Sequence, residues 1–514
     1  MKAPVLVTGA TGYVGGRLVP ALLACGHRVR ALARSLEKLA RRPWYGRPGI
    51  EPVRGDLLDR DSLTAALSGC EAVFYLVHSM IAQGSRFAEA DRAAARNLAS
   101  AAAAAGVRRI LYLGGLAAET GGPLSHHLAS RLEVARILSA GSVPVTELRA
   151  PMILGSGSAS FEILRYLVER LPVMTTPRWV RSQNQPIAIS NVIGYLTGCL
   201  EREGTAGASF DIGGPDRITY EELFRIYAEE AGLRRRLILP VPVLSPRLSA
   251  LWIHLVTPVP RAIALPLAEG LTSDAVCRET RIREVVPQRL LSCREAIRLA
   301  LERLPQELWN SCWGPDGGLL PFEWPYCGDA DYAGGTRLQI AYRLRVRAEA
   351  EGLWRVLSRL GGKGGYFAFG PLWRLRGAID RQLGGRGLAD SAPAGGPAPG
   401  LRFDFWRVLA VEPPRRLCLL SEMKAPGEAL FELEIEEGAG GCCELRLISR
   451  FLPRGLAGLL YCSLLEPVHR AVFRGMLLAI AAAAGGAVSP PERFSPRPRP
   501  VCFLPDLPGL ASSP

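Results

Sequence analysis

Residues 5–23, VLVTGATGYVGGRLVPALL, read as strand, glycine turn and helix. Val5, Leu6 and Val7 form a short apolar run. Gly9, Gly12 and Gly15 then recur at intervals of three, and Leu18, Leu22 and Leu23 give a helix its apolar face. Each glycine has a chemical reason. Gly9 permits a tight turn, Gly12 lets a pyrophosphate approach the backbone, and Gly15 lets the helix pack on its strand. The free N–H groups at the helix start face an anion, and Thr11 adds a hydroxyl donor. A glycine triplet alone is weak, but this one follows a strand directly and opens a helix, the context the motif demands.

A chain of 514 residues holds two or three domains, since one core seldom grows beyond about 250–300 residues. The apolar share of 48% and charged share of 21% are those of a globular protein. The net charge is +14, and of 62 basic residues only Lys2, Lys38, Lys363 and Lys424 are lysines. The arginines are scattered and form no nucleic-acid stripe, although a basic surface suits an anionic membrane. The twelve cysteines show no CxxC pair and no Cys/His ligand spacing, so no metal site is expected, and the thiols read as reduced and structural. No signal peptide precedes the first strand. The most apolar late stretch, Leu456 to Val488, is interrupted by Glu466, His469, Arg470 and Arg474. Its unbroken part from Gly475 is shorter than the roughly 18–20 residues of a span. The expectation is a cytoplasmic protein, with peripheral contact at the inner membrane left open.

After the glycine turn, HRVRALAR reads as a second strand ending at Arg34, about 20 residues past the glycines, where a ribose-reading residue belongs. An acid there suits the 2′-hydroxyl of NAD; an arginine suits the 2′-phosphate of NADP, so NADP is expected over NAD. IEPVRGDLLD is a third strand ending near Asp56, whose carboxylate can accept from an adenine amino group; Asp59 or Asp61 is the better cap for the helix that follows. Ala72 to Val77 is a fourth strand ending at His78, Phe87 to Ala105 a helix stopped by Gly106, and RRILYLGGL a fifth strand ending at Gly114 and Gly115. Alternating strands and helices predict an α/β, Rossmann-type doubly wound parallel sheet, with ligands beyond the strand C-termini.

TGATGYVG, RGDLLD, AGVRRILYLGGL, RAPMILG and FDIGGPDRITYEEL resemble the atypical, NmrA-like and epimerase-like branch of the short-chain dehydrogenase/reductase superfamily, over roughly residues 3–300. The resemblance implies NADP(H) held by Gly9, Thr11, Gly12, Tyr13, Val14, Gly15, Arg34, Asp56 and Leu57, with Leu76, Val77 and His78 by the nicotinamide ribose. It also implies a serine or threonine after the fifth strand, then a tyrosine and a lysine four residues later. The chain departs there. Gly114 and Gly115 occupy the serine region, and SHHLASRLEVARIL offers His127 and Arg131, which share a helix face. An imidazole can donate a proton and titrates near neutrality; Arg131 can touch a ribose or phosphate but is no base. Two readings stay open: His127 is the general acid with Arg131 beside it, or the site binds cofactor without turnover and both are structural.

A small substrate lobe is expected from about 152 to 320, completing an N-terminal domain of residues 1–320. Thr219 with Glu222 resembles a capping box. Val241 to Leu271, rich in Pro and Leu, reads as buried short helices, an apolar substrate wall or a membrane-touching surface; its prolines favour buried packing. LWNSCWGPDGGLLPFEWPY is read as a loop-rich connection. A strand, two short helices, four strands with hairpin-length breaks and a long closing helix follow over residues 335–486. GGKGGYFAFGPLWRLRGAIDRQLGGRGL and FDFWRV carry a resemblance to the START-like, polyketide-cyclase-like helix-grip fold and to the uncharacterised domain that follows such NAD(P)-binding domains in some bacterial proteins. It implies an α+β domain with a cavity for an apolar molecule. Phe403, Phe405, Trp406 and Phe431 are candidate linings, and Asp380, Asp404 and Glu422 candidate partners of Arg374 or Arg376. Residues 487–514 read as a disordered proline-rich tail. The functional expectation is an NADP(H)-dependent oxidoreductase on an apolar carbonyl, enone or quinone-like substrate. The alternatives are a non-catalytic NADP(H)-binding sensor or assembly protein with a lipid- or polyketide-binding cup and, more weakly, a nucleotide-sugar epimerase.

Overall fold

The computed structural model describes the chain apart from residues 1–2, 79–86, 117–124, 242–245, 272, 303–312, 314–317, 362–364, 389–395, 439 and 497–514. Much of the loop-rich connection, part of the Pro/Gly/Ala loop after 389 and most of the tail therefore lie outside the described residues. The chain divides into two compact units at Gly335/Thr336.

In the first unit β1 (Val5–Val7), β2 (Val29–Ala33), β3 (Ile50–Arg54), β4 (Ala72–Tyr75), β5 (Arg109–Gly115) and β6 (Val145–Ala150) form a parallel sheet with the short strand Ser209–Asp211. The order is Ser209–Asp211, β6, β5, β4, β1, β2, β3. Val5 is in register with Val29 on one side and Ala72 on the other. The chain order thus reverses between β1 and β4, and a crevice opens there beyond the strand ends. Strand alternation splits the core: Val5 and Val7 face one layer of helices, Leu6 the other. The helices are α1 (Tyr13–Ala24), α2 (Leu36–Ala40), α3 (Arg60–Leu67), α4 (Phe87–Ala104) and α5 (His126–Ser139). Asp59 caps α3 through the N–H groups of Asp61 and Ser62, and Ser125 caps α5.

The smaller lobe carries α6 (Ala159–Arg170), α7 (Ile189–Glu201), α8 (Tyr220–Glu230), α9 (Pro246–Val256) and α10 (Arg261–Gly270). The Thr219–Glu222 capping box of α8 is present in both directions. In the described part of Val241–Leu271, buried packing and a cavity wall occur together. Ala250, Ile253, Ile263 and Ala264 are buried, Trp252 and Leu267 line a cavity, and Leu248, Leu251 and Leu255 are exposed.

A buried ion cluster ties the segment around 322–329 to the glycine turn. Arg17 of α1 is fully buried. Its Nε donates to Phe322 O (2.7 Å), and Nη2 donates to Trp324 O (2.6 Å), Ser156 O (2.9 Å) and Asp329 Oδ2 (2.8 Å). Arg42 donates to Asp329 Oδ1 (2.8 Å), to Gly12 O (3.0 Å) and to Thr11 O. Burial opposes the Asp329 charge, but Arg17 and Arg42 hold the carboxyl below the usual carboxylate range.

In the second unit seven antiparallel strands run in the order Arg402–Phe403, Trp406–Glu412, Arg416–Ser421, Gly427–Glu437, Cys443–Pro453, Leu338–Val346, Glu492–Arg493. They curve round the helix Gly455–Ala484, whose Phe473, Met476, Leu477 and Ile480 join the sheet core. The charges that interrupt its apolar run do not interrupt the helix. It is long and apolar enough to cross a membrane by length and composition, yet that half of it packs inside the domain. The arrangement is the expected α+β helix grip. Of the four expected lining aromatics, Trp406 and Phe431 reach a cavity. Phe405 is fully buried and stacks at 5.9 Å on Tyr366, and Phe403 is buried against Gly361. The break between them comes from Asp404, whose φ of +47° ends the strand and whose carboxylate accepts from the Tyr366 hydroxyl (2.6 Å). The acids also choose other partners than Arg374 and Arg376. Asp380 accepts from the backbone N–H groups of Lys424 and Gly387, and Glu422 pairs with Arg386, Arg402 and Arg407.

The Asp329 cluster predicts a measurable loss. Asp329→Ala leaves two buried guanidinium groups without their shared counter-charge, and removing one partner of a buried pair costs about 3–5 kcal/mol. Thermal unfolding should show a lowered midpoint for the first unit, whereas Glu51→Ala, at the half-exposed Arg30 pair, should change it little.

Candidate functional site

The glycine turn fits a dinucleotide pyrophosphate. Gly9 has φ +69°, and a Cβ there would lie 2.9 Å from Leu76 O. A Cβ on Gly15 would lie 2.3 Å from Gly9 O, so only glycine lets α1 start this close to β1. Gly12 is exposed, and a Cβ on it would meet only Gly9 O, at 3.1 Å, leaving its outer side open. Arg42 holds the Thr11 and Gly12 carbonyls on the inner side. The N–H groups of Tyr13, Val14 and Gly15 belong to the first turn and lack helical acceptors, so they form an anion cradle. Tyr13 contributes through its backbone, because its ring stacks on Arg17 (4.1 Å) and its hydroxyl is buried.

Arg34 follows β2 directly, is exposed, and has no hydrogen-bond partner among the described residues. Asp56 lies just past β3, with Oδ1 accepting from Leu58 N (3.1 Å). The Leu57 side chain is buried in the core, and its carbonyl accepts from Asn97. The cradle, Arg34 and Asp56 thus follow the C-terminal ends of β1, β2 and β3, where a Rossmann sheet receives its nucleotide.

Beyond β4 and β5 a cavity of about 320 Å3 opens into the lobe. Val14, Leu76, Val77, Gly114, Gly115, His127 and Arg131 line one side, and Met152, Tyr220, Phe224 and Trp252 are among the lobe residues on the other. The glycines in the serine region have a steric reason. A Cβ on Gly115 would lie 2.9 Å from Leu128 Cδ2 and 3.3 Å from Arg131 Cδ, so the side chains of α5 pack close against this glycine.

The resemblance places His78 by the nicotinamide ribose, and in the structure its ring joins a chain of polar groups that the sequence does not reveal. Asp91 Oδ2 lies 2.7 Å from His78 Nδ1, and His78 Nε2 lies 3.1 Å from His127 Nδ1. Ser130 Oγ donates to the same Asp91 oxygen (3.1 Å), and Asp91 is buried. A carboxylate only accepts, so the hydrogen-bond network assigns the Nδ1 proton of His78 to its bond with Asp91. With His127 Nδ1 facing His78, His127 Nε2 is the ring nitrogen left for the cavity. Arg131, one turn on, donates to Leu113 O (3.0 Å) and accepts at its own carbonyl from the Tyr112 hydroxyl (3.1 Å). Burial pushes the His127 pKa down to about 2, with Arg131 and His78 acting in the same direction. Burial also lowers His78, against the hydrogen bond it donates to Asp91. Asp91 carried no sequence signal, since it lies inside an alanine-rich helix 13 residues past His78. Among the described residues no group of acids, histidines and cysteines could hold a metal ion, and the described cysteines are free thiols.

Residues 1–163 match the NmrA-like family. The chain is 32% identical over 225 residues to the (4-alkanoyl-5-oxo-2,5-dihydrofuran-3-yl)methyl phosphate reductase of Streptomyces griseus, covering 42% of this chain and 70% of that protein. The chain belongs to the NmrA-like family. The NmrA-like unit is also 31% identical over 194 residues to the ceramide reductase of Caulobacter vibrioides, covering 37% of this chain and 58% of that one, less than two thirds of its length. Among solved structures it is similar to the Citrobacter sp. triphenylmethane reductase complexed with NADP(H), at 21% identity and a TM-score of 0.47, over 58% of this chain and 99% of that chain. Residues 332–476 match a family described as a protein of unknown function, DUF2867. The NmrA-like unit carries the Rossmann-type, NAD(P)-binding features of the oxidoreductase-like superfamily, and the second unit, which matches DUF2867 over residues 332–476, is an α+β helix grip.

The depressed His127 pKa fixes the sign of a pH effect. In the unfolded chain His127 gains a proton as the pH falls below about 6.5, whereas in the folded domain it does not. Stability therefore falls on acidification, by about 2 kcal/mol at pH 5 for this group. His127→Gln should remove that part of the acid loss, measured as denaturation midpoints at pH 8 and pH 5.

Proposed function

We propose that the NmrA-like unit is an NADPH-dependent reductase of an apolar carbonyl, enone or quinone-like compound. The observation that carries this reading is the Asp91–His78–His127 chain ending at an apolar cavity that Val14 of the glycine cradle also lines. The relatives named as reductases of an alkanoyl-furanone phosphate and of ceramide agree with it. When bound, the reduced nicotinamide supplies a hydride to the substrate. The groups of the chain would supply the rest.

Leu76, Val77 and the apolar lobe residues hold the substrate out of water. Arg34, free at its position, accounts for NADP over NAD, because a guanidinium suits a 2′-phosphate. The proton reaches the substrate oxygen from His127 Nε2. For that the pair of imidazoles carries one extra proton, held on His78, where the Asp91 carboxylate balances the charge. As His127 Nε2–H is given up, His127 Nδ1 takes the proton of His78 Nε2. His127 then never becomes cationic, in keeping with its low pKa, and the relay ends with both rings neutral. The pair replaces the tyrosine and lysine of the wider superfamily. His127 takes the donor role of the tyrosine, and Asp91 makes the extra proton tenable.

The reading is tested by titrating the purified protein with NADPH and NADH and then offering quinones and enones. NADPH should bind and be oxidised. His127→Phe should lower turnover by roughly 10²–10⁴-fold and leave NADPH affinity unchanged. Arg34→Ala should weaken NADPH by roughly ten- to a hundredfold and NADH little. Reduction should slow as the pH rises, and Asp91→Asn should move that decline to lower pH, since His78 then lacks its counter-charge. The missing tyrosine–lysine pair favours a second reading, a sensor that binds NADP(H) without turnover; tight NADPH binding with no oxidation by any acceptor would establish it and overturn the first.

A further inference from the structure

The C-terminal unit encloses a cavity of about 710 Å3, within the range that buries most of a small ligand. Its floor is aromatic: Trp406, Phe431 and Phe473 line it and are buried. Its charged lining is cationic in balance, because Arg376 and other bases reach it against Glu466, which is already paired with Arg470. The helix Gly370–Gln382 brings two donors to this wall. Arg376 Nη1 and Trp373 Nε1 are both buried, and neither has a hydrogen-bond partner among the described residues. Arg376 is anchored by its other amino group, Nη2, which donates to Lys424 O (3.2 Å). The Trp373 ring is held by stacking on Tyr366 at 4.4 Å. Both donors are thus positioned from elsewhere and left without an acceptor. The rim on the same helix is apolar, with Leu375 and Leu383 about three-fifths exposed (59% and 60%).

Buried donors are nearly always satisfied, and leaving one unpaired is costly. A neutral hydrocarbon would fill the floor and leave both donors unpaired. A free inorganic anion would satisfy the donors and leave the aromatic floor empty. We propose that this cavity binds a single-chain amphiphile with an acid head, its chain on the aromatic floor and an acid oxygen accepting from Arg376 Nη1 and Trp373 Nε1. A guanidinium recognises carboxylate and phosphate alike, so the class is the long-chain acid. This inference goes beyond the reductase reading and does not depend on it.

The test uses the full chain and dodecanoic acid, dodecyl phosphate and dodecanol, with binding followed by tryptophan emission and by calorimetry. At least one of the two acids should bind roughly ten- to a hundredfold more tightly than the alcohol, the worth of a charged hydrogen bond. The tighter of the two acids identifies the head group. Arg376→Gln should remove that preference and leave dodecanol affinity unchanged, with thermal unfolding confirming the fold. Trp373→Phe keeps the stacked ring and removes only the N–H; it should weaken the acid several-fold and spare the alcohol. Equal binding of acid and alcohol by the unaltered protein would overturn the proposal. So would an acid preference that survives Arg376→Gln in the folded protein, or failure of all three compounds to bind.

Discussion

The N-terminal unit depends on one buried carboxylate. Asp329 lies between Arg17 and Arg42, and both guanidinium groups also bind backbone carbonyls. Two charges of one sign could not share so dry a space without it. With it, Arg42 can hold the carbonyls of the glycine turn inward, and the turn then presents its N–H groups outward. The segment around 322–329 is therefore part of the cradle's support, although about three hundred and ten residues separate it from the turn. An anion-binding loop needs its carbonyls turned away from the anion, and here a buried arginine does that.

The same economy of charge governs the Asp91–His78–His127 chain. His127 faces an apolar cavity and lies beside Arg131, so a charge on its ring is strongly disfavoured. Its neighbour His78 lies next to the Asp91 carboxylate, which favours a charge there against the burial that opposes it. Gly115 belongs to the same corner: Leu128 and Arg131 of α5 pack against its bare Cα.

The second unit answers a different packing problem. A curved antiparallel sheet and the helix Gly455–Ala484 meet over only part of their length. Met476, Leu477 and Ile480 close one end, and the other keeps an open volume between aromatic floor and apolar rim. The long helix is apolar because one half is core. The other half leaves Leu456, Leu460 and Leu464 exposed at successive turns.

Much of this was legible in the chain itself. The glycine spacing, the apolar alternation of β1–β6, the Thr219 capping box and the late strand–helix pattern are local features, and local geometry follows from residue types a few positions apart. Arg34 and Asp56 could be placed because a strand end fixes where the following residue stands. Tertiary structure decided the rest. That Asp91 pairs with His78, that His78 pairs with His127, and that Asp329 holds Arg17 and Arg42 are pairings across 13, 49, 312 and 287 positions. That Phe405 is core while the next residue, Trp406, lines a cavity accompanies the left-handed turn at Asp404. Periodicity carries no record of such contacts, because a side chain's partner is set by which elements pack together, and its charge by how much water that packing excludes.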